Sequence, residues 1–200
     1  PVTSHLKAIK KWLNTTSDEY AFFCEDDLSL ETVQYWNFTW QEFMDILPPK
    51  WDCIQLCLLR EYFSDFKIEF RNRCWCDWSA CAYLITREYA QKLIDTYHYD
   101  DNFYLDSKCH DAQYRPDWAL VPVVETIILG LTNRVYVIPL FVEDISFKSS
   151  YKIENQNDDL DDHHYNSYNT IINWWKEMTF KLNSNKIIPN KIKFLDFPRV

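Results

Sequence analysis

A single glycine, Gly130, stands in this chain of 200 residues. The P-loop and the dinucleotide-binding fingerprint both need several glycines, because only glycine lets the backbone approach phosphate groups closely enough. The chain can therefore build neither loop. Any phosphate group that it binds must be held by a metal ion, by side chains or by the start of a helix.

The composition is that of a globular domain with a large apolar core. Hydrophobic residues make up 47% of the chain and aromatic residues 18%. A length of 200 residues suits one domain that spans residues 1–200. The net charge of −9 gives no sign of the basic face that nucleic-acid-binding proteins present. No nucleic-acid partner is expected.

The seven cysteines are an odd number, and most of them lie in apolar runs, where free cysteine packs as a small hydrophobe. Cys74 and Cys76 are too close together for a zinc knuckle and have no partner pair, so we expect two packed thiols there. Neither a signal peptide nor a transmembrane segment is visible. We therefore expect a reducing compartment, the cytoplasm.

Apolar runs alternate with helical patterns along the whole chain, which predicts an α/β layered domain with a mixed sheet. Strands are predicted at 20–24, 51–59, 66–70, 80–86 and 134–141. Helices are predicted at 4–13 (with Ser4 as N-cap), 30–47, 87–98, 116–130 and 167–182. Between them, loops are predicted at 99–115 and 143–166, the second a flexible polar loop, and residues 167–200 form a C-terminal helix and tail.

The acidic triplet Glu25-Asp26-Asp27 follows directly on the predicted strand at 20–24. In open α/β sheets, ligands bind outside the carboxyl ends of strands. Three adjacent carboxylates repel one another, and a bound divalent cation turns this repulsion into a net attraction. Mg²⁺ and Mn²⁺ prefer such oxygen ligands and also bind phosphate oxygens. The triplet therefore predicts a metal and diphosphate site, with a solvated acidic turn as the alternative.

Five motifs follow one another in the order typical of the family 25 glycosyltransferases, and together they cover residues 4 to 141. They are Ser4-His5 before a helix, Glu25-Asp26-Asp27 after an apolar strand, Trp51-Asp52 before a strand, Ser79-Ala80-Cys81-Ala82-Tyr83 in a strand, and Arg115-Pro116-Asp117-Trp118. The chain resembles this family, which includes lipooligosaccharide and collagen galactosyltransferases. Its Asn-, Ile-, Lys- and Tyr-rich composition also resembles homologues from large DNA viruses of amoebae, which would place it in the host cytoplasm or the virion.

The resemblance implies a GT-A-like fold, a nucleotide-binding α/β domain with a mixed, mostly parallel central sheet. It also implies transfer of a hexose, galactose or glucose, from a UDP-sugar to a hydroxyl of a glycan or protein acceptor, with inversion and with Mn²⁺ or Mg²⁺. The family normally has a segment before the Ser-His motif, and this chain begins at Pro1. We therefore expect the first βα unit to be missing, and the alternative is a non-catalytic remnant that acts as a carbohydrate-binding or assembly domain.

The resemblance also assigns roles to individual residues. Asp27 is expected to hold the metal with Glu25, or with Asp26 in its place. The resemblance does not supply a histidine ligand, but imidazole combines with carboxylates at Mn²⁺-type sites. One of the two loop histidines, His163 or His164, is therefore expected as a further ligand; the alternative for both is a polar loop without a ligand role. Asp117 is expected near the acceptor as general base, or else as a first-turn residue of a helix. Contacts with the donor are expected from Ser4, His5, Asp26 and Ser79.

Overall fold

A six-stranded mixed sheet forms the centre of the computed structural model, which describes residues 2–60, 70–74, 76–105, 122–146 and 159–181. Five strands lie side by side in the order β1 (Tyr20–Cys24), β5 (Ala82–Thr86), β3 (Cys53–Cys57), β8 (Val135–Glu143) and β2 (Leu28–Ser29). A sixth, β4 (Arg71–Asn72), pairs with β8. Among the described residues β1 pairs only with β5, so its other edge is open.

Five helices and a small hairpin complete the described part of the chain. The helices are α1 (Val2–Thr15), α2 (Trp40–Asp45), α3 (Arg87–Tyr97), α4 (Val124–Ile128) and α5 (Asp159–Lys181), with a 3-10 helix at Glu31–Tyr35. The hairpin joins β6 (His98–Tyr99) to β7 (Asn102–Phe103). No described helix combines the length and the apolar character needed to cross a membrane.

Helices cover both faces of the sheet. On one face, α1, α3 and α4 bury Leu6, Leu93 and Ile127 against the strands. On the other face, α5 buries Trp175 together with Phe43 of α2. Because β3 alternates its side chains between these two cores, all five of its residues are buried. The structure thus confirms an α/β layered domain with a mixed central sheet.

The expectation of a mostly parallel sheet is wrong. Among the strands that the structure describes, only β3 and β8 run parallel to each other. Strand β5 runs antiparallel to both of its neighbours, and β2 and β4 run antiparallel to β8. Strands that are buried on both faces give continuous apolar runs typical of parallel sheets. Here the helices on both faces produce the same pattern in antiparallel strands, so the sequence does not report strand direction.

Two of the predicted helices have different bounds. The pattern predicts one helix over 30–47, but the chain forms the 3-10 helix and then α2, because Thr39 caps α2 in a reciprocal capping box with Glu42. The loop predicted at 143–166 is wrong from Asp159 onward, where α5 begins, and its residues 147–158 lie outside the described part of the chain. Ser4 is not an N-cap, because the described helix already includes Val2.

Other predictions agree with the structure to within a few residues or fall outside it. Pro139 lies within β8 at a bulge where the pairing with β3 shifts register, a position that tolerates proline. The predicted strand at 66–70 lies mostly outside the described residues, as do the loop residues 106–115. Of the helix predicted at 116–130, residues 116–121 lie outside them, and the described remainder is helical only in α4.

Candidate metal-binding site

The ends of three strands meet at one edge of the sheet. Strands β1, β3 and β8 all end there, and β5 begins there, because β5 runs antiparallel to β1 and β3 while β8 is parallel to β3. Backbone hydrogen bonds hold both ends of the acidic triplet at this edge. The amide of Glu25 donates to the carbonyl of Cys81 at 2.8 Å, and the amide of Asp144 donates to the carbonyl of Asp27 at 2.7 Å.

Three carboxylates lie at this edge: Glu25, Asp27 and Glu143. As the alternation along a strand predicts, Glu25 and Asp27 are half-buried and Asp26 is exposed. Burial raises the pKa of Asp27, and the negative charges of Glu143 and Glu25 raise it further. A bound cation would offset the repulsion that these carboxylates exert on Asp27.

One oxygen of Asp27 stands out at this edge. Its Oδ1 atom is buried and has no hydrogen-bond partner among the residues that the structure describes. Most buried polar atoms are hydrogen-bonded, and an exception calls for an explanation such as a bound ion or water. A metal ion held between Asp27 and Glu143 would satisfy this oxygen.

Two histidines hold two of the carboxylates in place. His5 on α1 places Nε2 at 2.8 Å from Oε1 of Glu25 and Nδ1 at 3.0 Å from the hydroxyl of Tyr83. Burial raises the pKa of Tyr83 well above its ordinary value, so its hydroxyl keeps its proton and can donate to Nδ1, leaving Nε2–H to donate to Glu25. His164 on α5 places Nδ1 at 2.7 Å from Oε2 of Glu143.

Two thiols line the buried side of the same edge. Ligand atoms of Cys57, Cys81 and Glu143 all lie within 4.8 Å of one another. The neighbouring Cys57 thiol and burial raise the pKa of Cys81, and Cys81 in turn lowers the pKa of Asp27. The thiol of Cys81 is therefore protonated, which leaves the carboxylates as the candidate metal ligands.

The predicted site residues divide into those that meet at this edge and those that do not. Four of them lie at this edge. His5 bonds Glu25 and His164 bonds Glu143, and the charges of Glu25 and Glu143 act on Asp27. The exposed side chains of Ser4 and Asp26 and the half-buried His163 make no described contact with this cluster. Asp117 lies outside the described residues, and its role as general base stays a prediction.

Ser79 has a structural role in this chain. Only 3% of the residue is exposed, its hydroxyl accepts from the amide of Cys81 at 3.2 Å, and its own amide donates to Glu125 at 3.0 Å. Its φ of 84° falls in the left-handed region that glycine usually occupies. A chain with one glycine builds this turn with serine, and a direct donor contact by Ser79 stays a prediction that its burial does not favour.

Sequence reasoning missed Glu143, Cys57 and Cys81. Each has a signal in hindsight, since Cys57 and Glu143 are the last residues of β3 and β8, and Cys81 directly precedes β5. Glu143 also opens a Glu-Asp pair after an apolar strand, as Glu25 does. These signals become useful only when the strand order is known, because the order decides which strand ends share an edge.

Comparison with known proteins adds no relative. No family model matches the chain, and comparisons with curated proteins and with solved structures give no significant match. The resemblance to family 25 glycosyltransferases therefore rests on the five sequence motifs alone.

Proposed function

We propose that this chain is a metal-dependent glycosyltransferase that transfers galactose or glucose from a UDP-sugar to a hydroxyl of a glycan or protein acceptor, with inversion. The observation that carries the proposal is the buried, unpartnered Oδ1 of Asp27 in a carboxylate whose pKa is raised by burial and by the charges of Glu143 and Glu25. The order of the sequence motifs supplies the reaction class.

The residues at the edge suit Mn²⁺ or Mg²⁺. Asp27 and Glu143 would hold the ion, with Glu25 and His164 as the nearest additional ligands, a set of oxygen and imidazole donors that suits these metals. A bound divalent cation neutralises the diphosphate leaving group as a Lewis acid. This role agrees with the lack of glycine-rich phosphate loops, because the phosphates then need no backbone cradle.

The protein's own residues orient these carboxylates. His5 fixes Glu25, and Tyr83 fixes His5 in turn, so α1 and β5 together hold one carboxylate. On the opposite side, α5 holds Glu143 through His164. The same proposal includes contacts with the donor by Ser4, His5 and Asp26. It also includes removal of the proton of the acceptor hydroxyl by Asp117.

A screen of UDP-, GDP- and CMP-sugars for hydrolysis tests the proposal. We expect UDP-galactose or UDP-glucose to be hydrolysed only when Mn²⁺ or Mg²⁺ is present. We expect Asp27→Asn to reduce this rate by more than about 100-fold, since removing a ligand should exceed the roughly 10–100-fold effect of outer partners. The matched control is Asp18→Asn, which changes an exposed aspartate and should leave the rate unchanged.

Two results would contradict the proposal. One is the absence of metal-dependent hydrolysis with every nucleotide sugar in the screen. The other is a rate that Asp27→Asn leaves unchanged. Binding of a glycan without metal, together with no hydrolysis, would instead support the carbohydrate-binding alternative.

His5 is expected to act as a positioning residue. Because its Nε2 bonds Glu25, His5→Ala should weaken Mn²⁺ binding by about 10–100-fold, the usual effect of losing an outer partner of a ligand. His5→Gln, which can still donate to Glu25, should restore part of this affinity. The measurement is a Mn²⁺ titration of each folded variant, and equal affinity in His5→Ala and the parent protein would show that His5 only packs.

A further inference from the structure

Two thiols outside the metal site lie unusually close together. The Sγ atoms of Cys74 and Cys76, which follow β4, are 2.7 Å apart, and both residues are free and half-buried. The S–S bond of a disulfide is about 2.05 Å long. To form a disulfide, the two sulfurs therefore need to approach each other only by the difference between these two lengths, which is less than about 1 Å. Both residues are partly exposed, so small reagents can reach the sulfurs.

A guanidinium group contacts both sulfurs. Nη2 of Arg60 lies 3.0 Å from Sγ of Cys74 and 3.2 Å from Sγ of Cys76. A neighbouring positive charge stabilises a thiolate, which is the reactive form of cysteine. The hydrogen bond from Cys74, followed by the charge and hydrogen bond of Arg60, outweighs burial and the charge of Asp77, and the pKa of Cys76 is lowered to about 6.

The two thiols differ in protonation because they share one hydrogen bond. That bond raises the pKa of Cys74 as it lowers the pKa of Cys76. The shared hydrogen bond therefore favours the thiolate at Cys76 and the thiol at Cys74. An attacking thiolate with an adjacent resolving thiol is the arrangement that thiol–disulfide exchange uses.

Asp77 fixes Arg60 and is itself fully engaged. Its buried carboxylate accepts from Nε of Arg60 at 2.9 Å, from both Nη atoms of Arg71 at 2.6 and 2.5 Å, and from the amide of Cys74 at 2.7 Å. Asp77 lies close enough to the two sulfurs to complete a metal-ligand group. Two guanidinium groups already neutralise it, however, and a structural zinc site needs four ligands, so this cluster suits redox chemistry better than a cation.

We propose that Cys74 and Cys76 are a redox-active dithiol that small disulfides oxidise to an intramolecular disulfide, independently of the metal site. The thiolate of Cys76 attacks one sulfur of the small disulfide, breaks its S–S bond and releases the first thiolate. Cys74 then attacks Sγ of Cys76, and its proton passes to the second thiolate that leaves. Two protein thiols lose two electrons in total, and the small disulfide is reduced to two thiols.

Oxidised glutathione is a direct probe of this chemistry in the full chain. After alkylation of the remaining thiols, peptide mass spectrometry should find a Cys74–Cys76 disulfide in the parent protein. Cys74→Ser should instead accumulate one glutathione on Cys76, because the resolving thiol is missing. Cys76→Ser should give neither product at a comparable rate. Cys24→Ser, which removes an exposed thiol, should behave as the parent protein does.

A pH profile on the parent protein provides a second readout that needs no variant. The rate of modification at Cys76 should be nearly flat between pH 7 and pH 8, since that thiol is already ionised there. The rate at Cys24, whose pKa is raised by burial, should rise by about tenfold over the same interval, as expected for a thiol below its pKa.

Three results would overturn the proposal. The first is a parent protein that keeps glutathione on Cys76 without forming the Cys74–Cys76 disulfide. The second is a rate at Cys76 that rises with pH as steeply as the rate at Cys24. The third is purified protein that holds one metal ion on the two sulfurs and does not react with oxidised glutathione.

Discussion

Asp77→Asn should lower the free energy of unfolding by about 3–5 kcal/mol, the usual effect of removing one partner from a buried ion pair. The Asp77 side chain is fully buried and pairs with Arg60 and Arg71, whose side chains are 26% and 15% exposed. The substitution removes the negative charge that both guanidinium groups contact, and these groups are largely shielded from water. Urea unfolding of the variant and the parent protein measures the difference.

The control for this substitution is Asp95→Asn. Asp95 is exposed and accepts a hydrogen bond from Gln91 on the same helix, so its loss should change stability by less than about 0.5 kcal/mol. If Asp77→Asn lowers the free energy of unfolding as little as Asp95→Asn does, the cluster of Asp77 and its two arginines contributes little to folding.

The same carboxylate gives a pH dependence. Burial alone would raise the pKa of Asp77, but the hydrogen bonds and charges of Arg71 and the charge of Arg60 outweigh burial and lower the pKa. Since the folded pKa is below the unfolded value of about 3.9, the contribution of Asp77 is complete above that pH. It is lost as the pH falls from there through the folded pKa. When the pH is lowered from about 5 to about 2, the free energy of unfolding should therefore fall less in the Asp77→Asn variant than in the parent protein.

Trp175→Ala should lower the free energy of unfolding by about 3–5 kcal/mol, as truncation of a large core aromatic does. Trp175 is 1% exposed and fixes α5 on the sheet. Its ring packs near Trp36 and Phe38, with centroids 6.4 and 6.3 Å away, and its Nε1 donates to the carbonyl of Pro139 at 3.2 Å. Chemical denaturation measures the loss.

The control, Lys176→Ala, removes the exposed neighbour of Trp175 on the same helix and should leave stability nearly unchanged. Because α5 also carries His164, which bonds Glu143, Trp175→Ala should weaken Mn²⁺ binding as well, whereas Lys176→Ala should not. Full stability in Trp175→Ala would contradict the packing of α5 on β8.

The positions of the strands follow from the sequence because their apolar runs are short and well bounded. The strand predicted at 20–24 coincides with β1, and those predicted at 51–59 and 80–86 contain β3 and β5. Helix α3 ends one residue before the predicted limit of 98. Strand direction is not encoded in this pattern, so the antiparallel course of β5 could not be predicted.

The candidate site was predictable only in part, for the same reason. Glu25 and Asp27 could be chosen because they follow a buried strand directly, and His5 because of its motif. His164 could be chosen only as one of two adjacent histidines in a polar segment, since imidazole is a common metal ligand. Glu143 comes from a strand more than a hundred residues later, and it joins Asp27 only because β2 pairs with the end of β8. Long-range pairing of this kind is a property of the fold, and local periodicity does not contain it.

A titration with Mn²⁺, followed by the electron paramagnetic resonance signal of the free ion, tests the central claim most directly. We expect one ion per chain in the parent protein and the same affinity in Asp26→Asn, whose side chain is exposed. We expect a loss of affinity of more than about 100-fold in Asp27→Asn, which removes a ligand rather than an outer partner. Because the two variants remove the same charge from adjacent positions, a nonspecific electrostatic effect would change both equally. No binding to the parent protein, or equal affinity in Asp27→Asn, would contradict a metal site at this edge of the sheet.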